Sequence, residues 1–290
     1  MASTFANLNG MDRVRCVLSL PYAAAFHAYE LLFTYLLPVS RATGDWAGIV
    51  GVYVGLEKSA LVTLRKGGTR RITRSNIRAF IMEIKGRDLV ENASVMGSSE
   101  SVYDRVDASG RTVVDIGAYN GDSAIYFIKR KRAGRVLAFE PVEEQYRMAV
   151  SNVRRMRLGG RIKLFRQAVS PGSGRSESFS LSLGSGGNSS VTLDQVVRKF
   201  GLRGAVLKID CEGCEYGLIS HMTPGVAGAF DAIVMRYQKG YRSLAERLEE
   251  LGYTVSYTKP TFRFASAFRV LVAFGSMYAI RKGKTGQRRS

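Results

Sequence analysis

VVDIGAYNGDSAIYF, residues 113–127, is the stretch whose reading decides the fold. A short apolar strand ends near Asp115, the chain passes Gly117 and Gly121, and a helical segment follows over residues 123–131. Glycines at a strand-to-helix turn let a ligand come close to the backbone. The helix start adds free N–H groups and the positive end of a dipole. Such a turn suits a carboxylate or a phosphate. A dinucleotide fingerprint needs G-x-G-x-x-G, and position 119 is Tyr. A Walker loop is missing too, because no Gly-Lys-Ser/Thr follows. Taken alone, the stretch also reads as an ordinary tight βα turn.

Working outward from it, the pattern stays regular. RVLAFEP (135–141) is a second strand and residues 142–156 a second helix. RIKLFRQAVS (161–170) is a third strand, followed by a Gly/Ser-rich connector over 171–190. A helix over 192–200 starts near Thr192 or Asp194. AVLKID (205–210) and DAIVMRY (231–237) are the fourth and fifth strands, and residues 244–251 form a strongly patterned helix. TVSYTK (254–259), FRVLVAF (268–274) and MYAIRK (277–282) are strand-like pieces that close the chain. Strands alternating with helices predict a parallel sheet with crossovers, and the closing strands an antiparallel edge. The chain ahead of residue 91 reads differently. It has a helical run over 17–37 and a β-branched, strand-like run over 49–64. A Gly-Gly hairpin follows in RKGGTRRITR (65–74), then a short helix over 73–85 with Ser75 as its cap. The polar stretch 91–110 reads as the connector. The expected division is an N-terminal helical and hairpin region, 1–90, and a cofactor-binding domain, 91–290.

Glu140 stands at the carboxyl end of the second strand, beside the first loop, where an acid can accept hydrogen bonds from both ribose hydroxyls. A glycine loop plus an acid fits a nucleoside with an attached carboxylate better than a pyrophosphate. S-adenosylmethionine is such a molecule. Its amino-acid end is expected over Gly117, Ala118, Tyr119, Asn120 and Gly121, above Asp115. Its ribose falls on Glu140 beside Pro141, and its adenine near Gln167, Ala168 and Val169. The fourth strand runs into KIDCEGCEYG (208–217), with Asp210, Glu212 and Glu215 within six residues. Those carboxylates can orient the cofactor amine, take a proton from an acceptor hydroxyl, or hold a divalent cation. They also read as a solvated acidic turn in which Glu215 caps the next helix.

In this order and spacing, VVDIGAYNGDSAIYF, LAFEPVEEQYRMAVSN, VTLDQVV and LKIDCEGCEYGLI resemble the FkbM family of S-adenosylmethionine-dependent methyltransferases. The resemblance covers residues 111–240 well, weakens to 283, and is loose over 1–110. It implies a class I methyltransferase fold: a Rossmann-like, doubly wound α/β sheet, mostly parallel with an antiparallel C-terminal edge. It also implies O-methylation, often of sugars, glycolipids or polyketide-type products. Carried over, Asp115, Gly117, Asn120, Gly121 and Glu140 contact the cofactor, and Asp210 and Glu212 face the reacting centre. One departure is that Gln238 stands where the family often has His. With only His27 and His221 in the chain, a carboxylate is the expected base. An RNA or protein methyltransferase is the alternative that the charge favours. Against base N-methylation, no Asn/Asp-Pro-Pro-aromatic sequence follows the fourth strand. A non-catalytic peripheral membrane scaffold is the reading from another class.

The 290 residues carry 43 Lys and Arg against 24 Asp and Glu, a formal charge of +19. The excess is clustered at 65–74, 129–135, 154–163 and 281–289. It suits an anionic partner, whether acidic sugar, acidic membrane surface or nucleic acid, and reads equally as a solvated, generally basic surface. Few aromatics interleave these runs, which gives base stacking little support. Cys16, Cys211 and Cys214 are too few for a disulfide framework, so a reducing, cytoplasmic home is expected. Cys211 and Cys214 have no second pair with which to hold zinc, and acids flank them. They are expected to be small packing residues, and no metal site is expected. No signal-cleavage pattern supports secretion. Residues 16–39 are apolar, but Glu30 near the middle would cost about 3 kcal/mol in a bilayer. A buried or interfacial helix is expected, with peripheral docking at the inner face of the membrane as the further option.

Overall fold

The computed structural model describes residues 6–18, 43–44, 46–54, 56–63, 69–73, 80, 102–171, 190–211, 213–265 and 270–283. The expected helix over 17–37, the short helix over 73–85 and the connector over 171–190 lie almost wholly outside them. Among the described residues, no helix is long and apolar enough to cross a membrane.

The elements ahead of the sheet are α1 (Gly10–Leu18), α2 (Trp46–Val54), β1 (Ser59–Thr63) and β2 (Thr69–Thr73). β1 and β2 pair antiparallel with Thr63 opposite Thr69, as the arms of the expected hairpin should, and its turn at 64–68 lies outside the described residues. The strand expected from residue 49 is not. Ile49 and Val52, three apart, are both buried on one helical face, and packing overrides their β-branched preference.

The main body runs β3 (Thr112–Ile116), α3 (Asp122–Lys129), β4 (Arg135–Phe139), α4 (Glu143–Arg155), β5 (Ile162–Phe165) and β6 (Ala168–Ser170). It continues with β7 (Ser190–Thr192), α5 (Leu193–Phe200), β8 (Ala205–Ile209), α6 (Cys214–Ser220), α7 (Pro224–Ala227) and β9 (Phe230–Tyr237). It closes with α8 (Arg242–Glu250), β10 (Tyr253–Tyr257), β11 (Thr261–Ala265) and β12 (Val270–Arg281). The large sheet has the order β10-β12-β9-β8-β3-β4-β5, with β11 paired to β12. Every neighbouring pair from β9 to β5 is parallel, while β12 runs antiparallel to both β9 and β10. This is the doubly wound sheet with an antiparallel edge expected of a class I methyltransferase. Its strand order reverses between β3 and β8, which opens a crevice at their carboxyl ends.

Alternation along the strands builds two cores. Val114, Ile116, Leu137, Phe139, Leu207 and Ile209 face one layer with α5, α6 and α8. Val113, Val136, Ala138, Val206 and Val234 face the other with α3. Leu8 and Cys16 join the first core, and Asp12 accepts a hydrogen bond from the buried Tyr241 hydroxyl at 2.9 Å. Tyr103, Val106 and Ala108, read as part of a polar connector, lie in the second core.

Two strands depart from expectation. The run 161–170 splits after Phe165, because β4 ends at Phe139 and Pro141, two residues on, has no N–H to continue the ladder. The last cross-strand bond there is from Glu140 N to Phe165 O, 3.0 Å, and β6 pairs with β7 instead. Residues 270–281 form one strand where two pieces were expected. Gly275 breaks the apolar pattern because a side chain there would meet the Tyr237 hydroxyl at 2.3 Å. α5 begins as expected, with a capping box between Thr192 and Gln195.

Candidate active site

The carboxyl ends of β3, β4, β5 and β8 bring the Gly117 loop, Glu140, Gln167–Ala168 and Asp210 to one edge of the sheet. Gly117 has φ +76°, and a Cβ there would stand 2.1 Å from the Asp210 carbonyl oxygen. The close approach that needs this glycine is therefore made by the neighbouring strand's backbone. Asp210 N in turn donates to Ile116 O at 3.0 Å. Gly121, φ +83°, is the N-cap of α3 and lies against Ala149. Tyr119 takes a positive φ of 50°, uncommon for a residue with a side chain.

The loop amides are mostly engaged within the protein. Gly117 N and Ala118 N donate to Phe139 O at 3.0 and 3.1 Å, and Tyr119 N donates to Glu140 Oε2 at 2.8 Å. Glu140 Oε1 accepts from Val142 N at 2.9 Å. Each Glu140 oxygen keeps a further lone pair for a hydroxyl. Burial pushes this carboxyl up to about 7, against the pull of the two backbone N–H groups.

Asp115 does not stand open to a ligand as expected. It is fully buried beneath the loop, with Lys208 Nζ 2.7 Å from Oδ1 and Ser123 Oγ donating to Oδ2 at 2.6 Å. Lys208, 2% exposed, also donates to Gly117 O at 2.7 Å. Burial pulls its ammonium down, yet the Asp115 charge carries it above its usual range. The pair is thus a buried clasp under the loop. Lys208 had no assigned role from sequence, although a lysine inside a wholly buried strand demands a buried acid.

Asn120 is completely buried. Its backbone carbonyl accepts from Asn152 Nδ2 at 2.9 Å, while its own Nδ2 has no acceptor among the described residues. A buried unpaired donor costs roughly 1–3 kcal/mol, which a ligand carboxylate would relieve. This orphaned amide, with the spare lone pairs of Glu140 one strand away, fits the amino-acid and ribose ends of S-adenosylmethionine. Pro141, beside Glu140, is half-buried; Gln167 is half-buried and Ala168 buried, at the strand end where the adenine is expected.

Asp210 is half-buried, its side chain 24% exposed, and Arg236 Nε stands 3.5 Å from its Oδ2. Arg236 comes from the end of β9, two residues before Gln238, and sequence reasoning missed it. Gln238 offers its backbone carbonyl to Ala273 N at 3.1 Å. Glu212 lies outside the described residues. Glu215, in the first turn of α6, is fully buried and accepts at 2.8 Å from the N–H of Gly213, which is itself the N-cap. Burial pushes it up to about 7. Cys211 and Cys214 were expected to be independent packing residues. They are joined by a disulfide, their Cα atoms 5.5 Å apart, because the tight turn at Gly213 brings both to the start of α6. Among the described residues no cluster of three His, Cys, Asp or Glu side chains is placed to hold a metal ion.

Residues 115–255 match the methyltransferase FkbM domain. Among solved structures, a precorrin-6y C5,15-methyltransferase from Geobacter metallireducens is similar at 15% identity and a TM-score of 0.40, over 66% of this chain and 87% of that one. An O-methyltransferase from Thermotoga maritima is similar at 13% and 0.40, over 77% of each chain. TrmK of M. capricolum, solved with S-adenosylhomocysteine, is similar at 13% and 0.39, over 62% of this chain and 66% of that one. No curated protein matches by sequence. At such distance the three structures add nothing to the domain match and the geometry. Residues 115–255, just under half of the chain, are therefore a methyltransferase FkbM domain, set in a fold of the S-adenosylmethionine-dependent methyltransferases.

Proposed function

We propose that the chain methylates a hydroxyl group on a sugar, glycolipid or related small acceptor. The observation that supports this best is the position of Asp210. Its partly exposed carboxylate stands at the carboxyl end of β8, where the sheet order reverses, next to the loop that fits the cofactor. When bound, S-adenosylmethionine supplies an electrophilic methyl carbon on a sulfonium. The protein then has to hold an acceptor oxygen in line with that carbon and remove its proton. Asp210 takes that proton, and Arg236 fixes the direction of its carboxylate. Glu212, two residues on, is the second carboxylate assigned to the reacting centre. Glu140 receives the ribose hydroxyls, and the Asn120 amide receives the cofactor carboxylate.

The test is release of S-adenosylhomocysteine in the presence of neutral sugars, glycolipids and RNA, for the wild type and Asp210→Ala. A hydroxyl acceptor on a glycan, and at least a hundredfold loss in the variant with cofactor affinity retained, are expected. Turnover on RNA alone, or full activity in Asp210→Ala, would overturn the reading.

A further inference from the structure

Arg135, the last residue of the basic run 129–135, meets the basic run 154–163 in space, away from the site above. Arg135, Arg154, Arg157, Arg161 and Lys163 line one open groove of about 870 Å³ between α4, the starts of β4 and β5, and the end of α5. All five are exposed, and none forms an ion pair with a described carboxylate. Arg135 is braced by bonds to Thr112 Oγ1 at 3.0 Å and to Phe200 O at 3.3 Å, and Arg161 by the carbonyls of Ala133 and Gly134. Their guanidinium groups are thereby held in place with further N–H donors unspent. Glu140 follows the far end of β4, so the groove lies about 17 Å from the cofactor edge, one strand length away.

Beneath this rim the floor is aliphatic. Val153 and Ile162 are each 4% exposed, and Val150 projects at 40%. Two aromatic residues line it: Phe200 has Lys163 and Lys199 over its ring at 5.9 and 5.8 Å, and Tyr146 is half-buried. A groove with cations on the rim and a mainly aliphatic floor offers a nucleobase one half-buried ring to stack on. It is complementary to an amphiphilic anion. We infer that this groove is a docking site for the phosphate headgroups and upper acyl chains of acidic phospholipids, seating the methyltransferase domain on a membrane surface.

The test is co-sedimentation of the full chain with phosphatidylcholine vesicles and with mixed phosphatidylglycerol–phosphatidylcholine vesicles. Binding to the mixed vesicles alone, weakening with added salt, is expected. Arg154→Ala with Arg157→Ala should lower the partition coefficient about thirtyfold, and Val150→Asp several-fold at unchanged ionic strength. Melting curves and cofactor affinity of both variants should match the wild type, since all three side chains are exposed. Failure to bind acidic vesicles, or wild-type binding by the double-arginine variant, would overturn the proposal. So would complete displacement by millimolar inorganic phosphate, which would mark a free-phosphate site, or selective loss of polyuridylate binding with vesicle binding intact. Met11→Ser with Val14→Ser, on the exposed face of α1, controls for docking through the first helix. Loss confined to that pair would also overturn it.

Discussion

Lys208→Met removes the ammonium from the clasp beneath the cofactor loop while keeping the length and apolar stem of the side chain. The Lys208–Asp115 pair is 2.7 Å apart with both side chains at most 2% exposed, so water cannot replace the lost partner. Removing one member of a buried pair costs about 3–5 kcal/mol, against about 0–1 kcal/mol for a surface pair. Domains of this kind hold about 5–15 kcal/mol in total. At about 2–4 °C per kcal/mol for a domain of this size, Tm should fall by roughly 6–20 °C. Asp115 is left with the Ser123 hydroxyl alone, and Gly117 O loses its ammonium donor. Cofactor affinity should therefore fall along with stability. Urea and thermal melts of Lys208→Met, Asp115→Leu and the double variant measure the effect. The double variant should be more stable than Lys208→Met, because it no longer buries an uncompensated charge. A Lys208→Met cost below about 1 kcal/mol, or strictly additive costs, would refute the reasoning.

Three further outcomes follow from the same geometry. Glu140 is raised from 4.5 to about 7, so the native state holds its proton longer than the unfolded chain. Its contribution to stability falls as pH rises from 4.5 towards 7 and is level above. Cofactor affinity should run the other way, weakening up to about tenfold per pH unit below about 7 in calorimetric titrations. Glu215 adds to the stability trend with the same sign, and Glu140→Gln separates the two. Asn120→Ala deletes the orphaned donor together with the acceptor of a long 3.3 Å bond from Asp122 N, so the free enzyme should lose no more than about 1.5 kcal/mol of stability while cofactor affinity drops about tenfold; unchanged affinity would sink that assignment. The Cys211–Cys214 bridge closes a four-residue loop worth about 2 kcal/mol in chain entropy, so dithiothreitol should lower Tm by several degrees. Mass spectrometry should find both thiols alkylated only after reduction.

What was legible in the sequence was what local pattern controls. Residues 113–127 announce a strand, a positive-φ turn and a helix because each needs particular residues at fixed spacing. Repetition of that unit gives the parallel sheet. Glu140 and Asp210 could be placed because they end strands, and strand ends meet at one edge whatever the loops do. Pairings made across the fold were hidden. Nothing near Lys208 in the chain names Asp115, 93 positions away, and Arg236 meets Asp210 only because β8 and β9 lie side by side. The helix at 46–54 was misread because β-branched residues say strand locally, while the burial of Ile49 and Val52 is settled by what packs against them. The disulfide was dismissed from the count of cysteines and from the acids that flank the pair, and neither speaks to a turn that brings two thiols within bonding range.

The contact between Gly117 and Asp210 has a consequence for how such an enzyme changes its acceptor. The glycine loop and the proposed base are not separate lids that would have to meet anew in each catalytic cycle. Asp210 N holds Ile116 O, Lys208 holds Gly117 O, and the bare α-carbon of Gly117 rests on the Asp210 carbonyl. On the proposed roles, the span between the loop that would hold the methyl donor and the Asp210 carboxylate is a property of two adjacent strands, as stiff as the sheet itself. Residues on the outer rim can be exchanged to admit a different acceptor while that span stays unchanged.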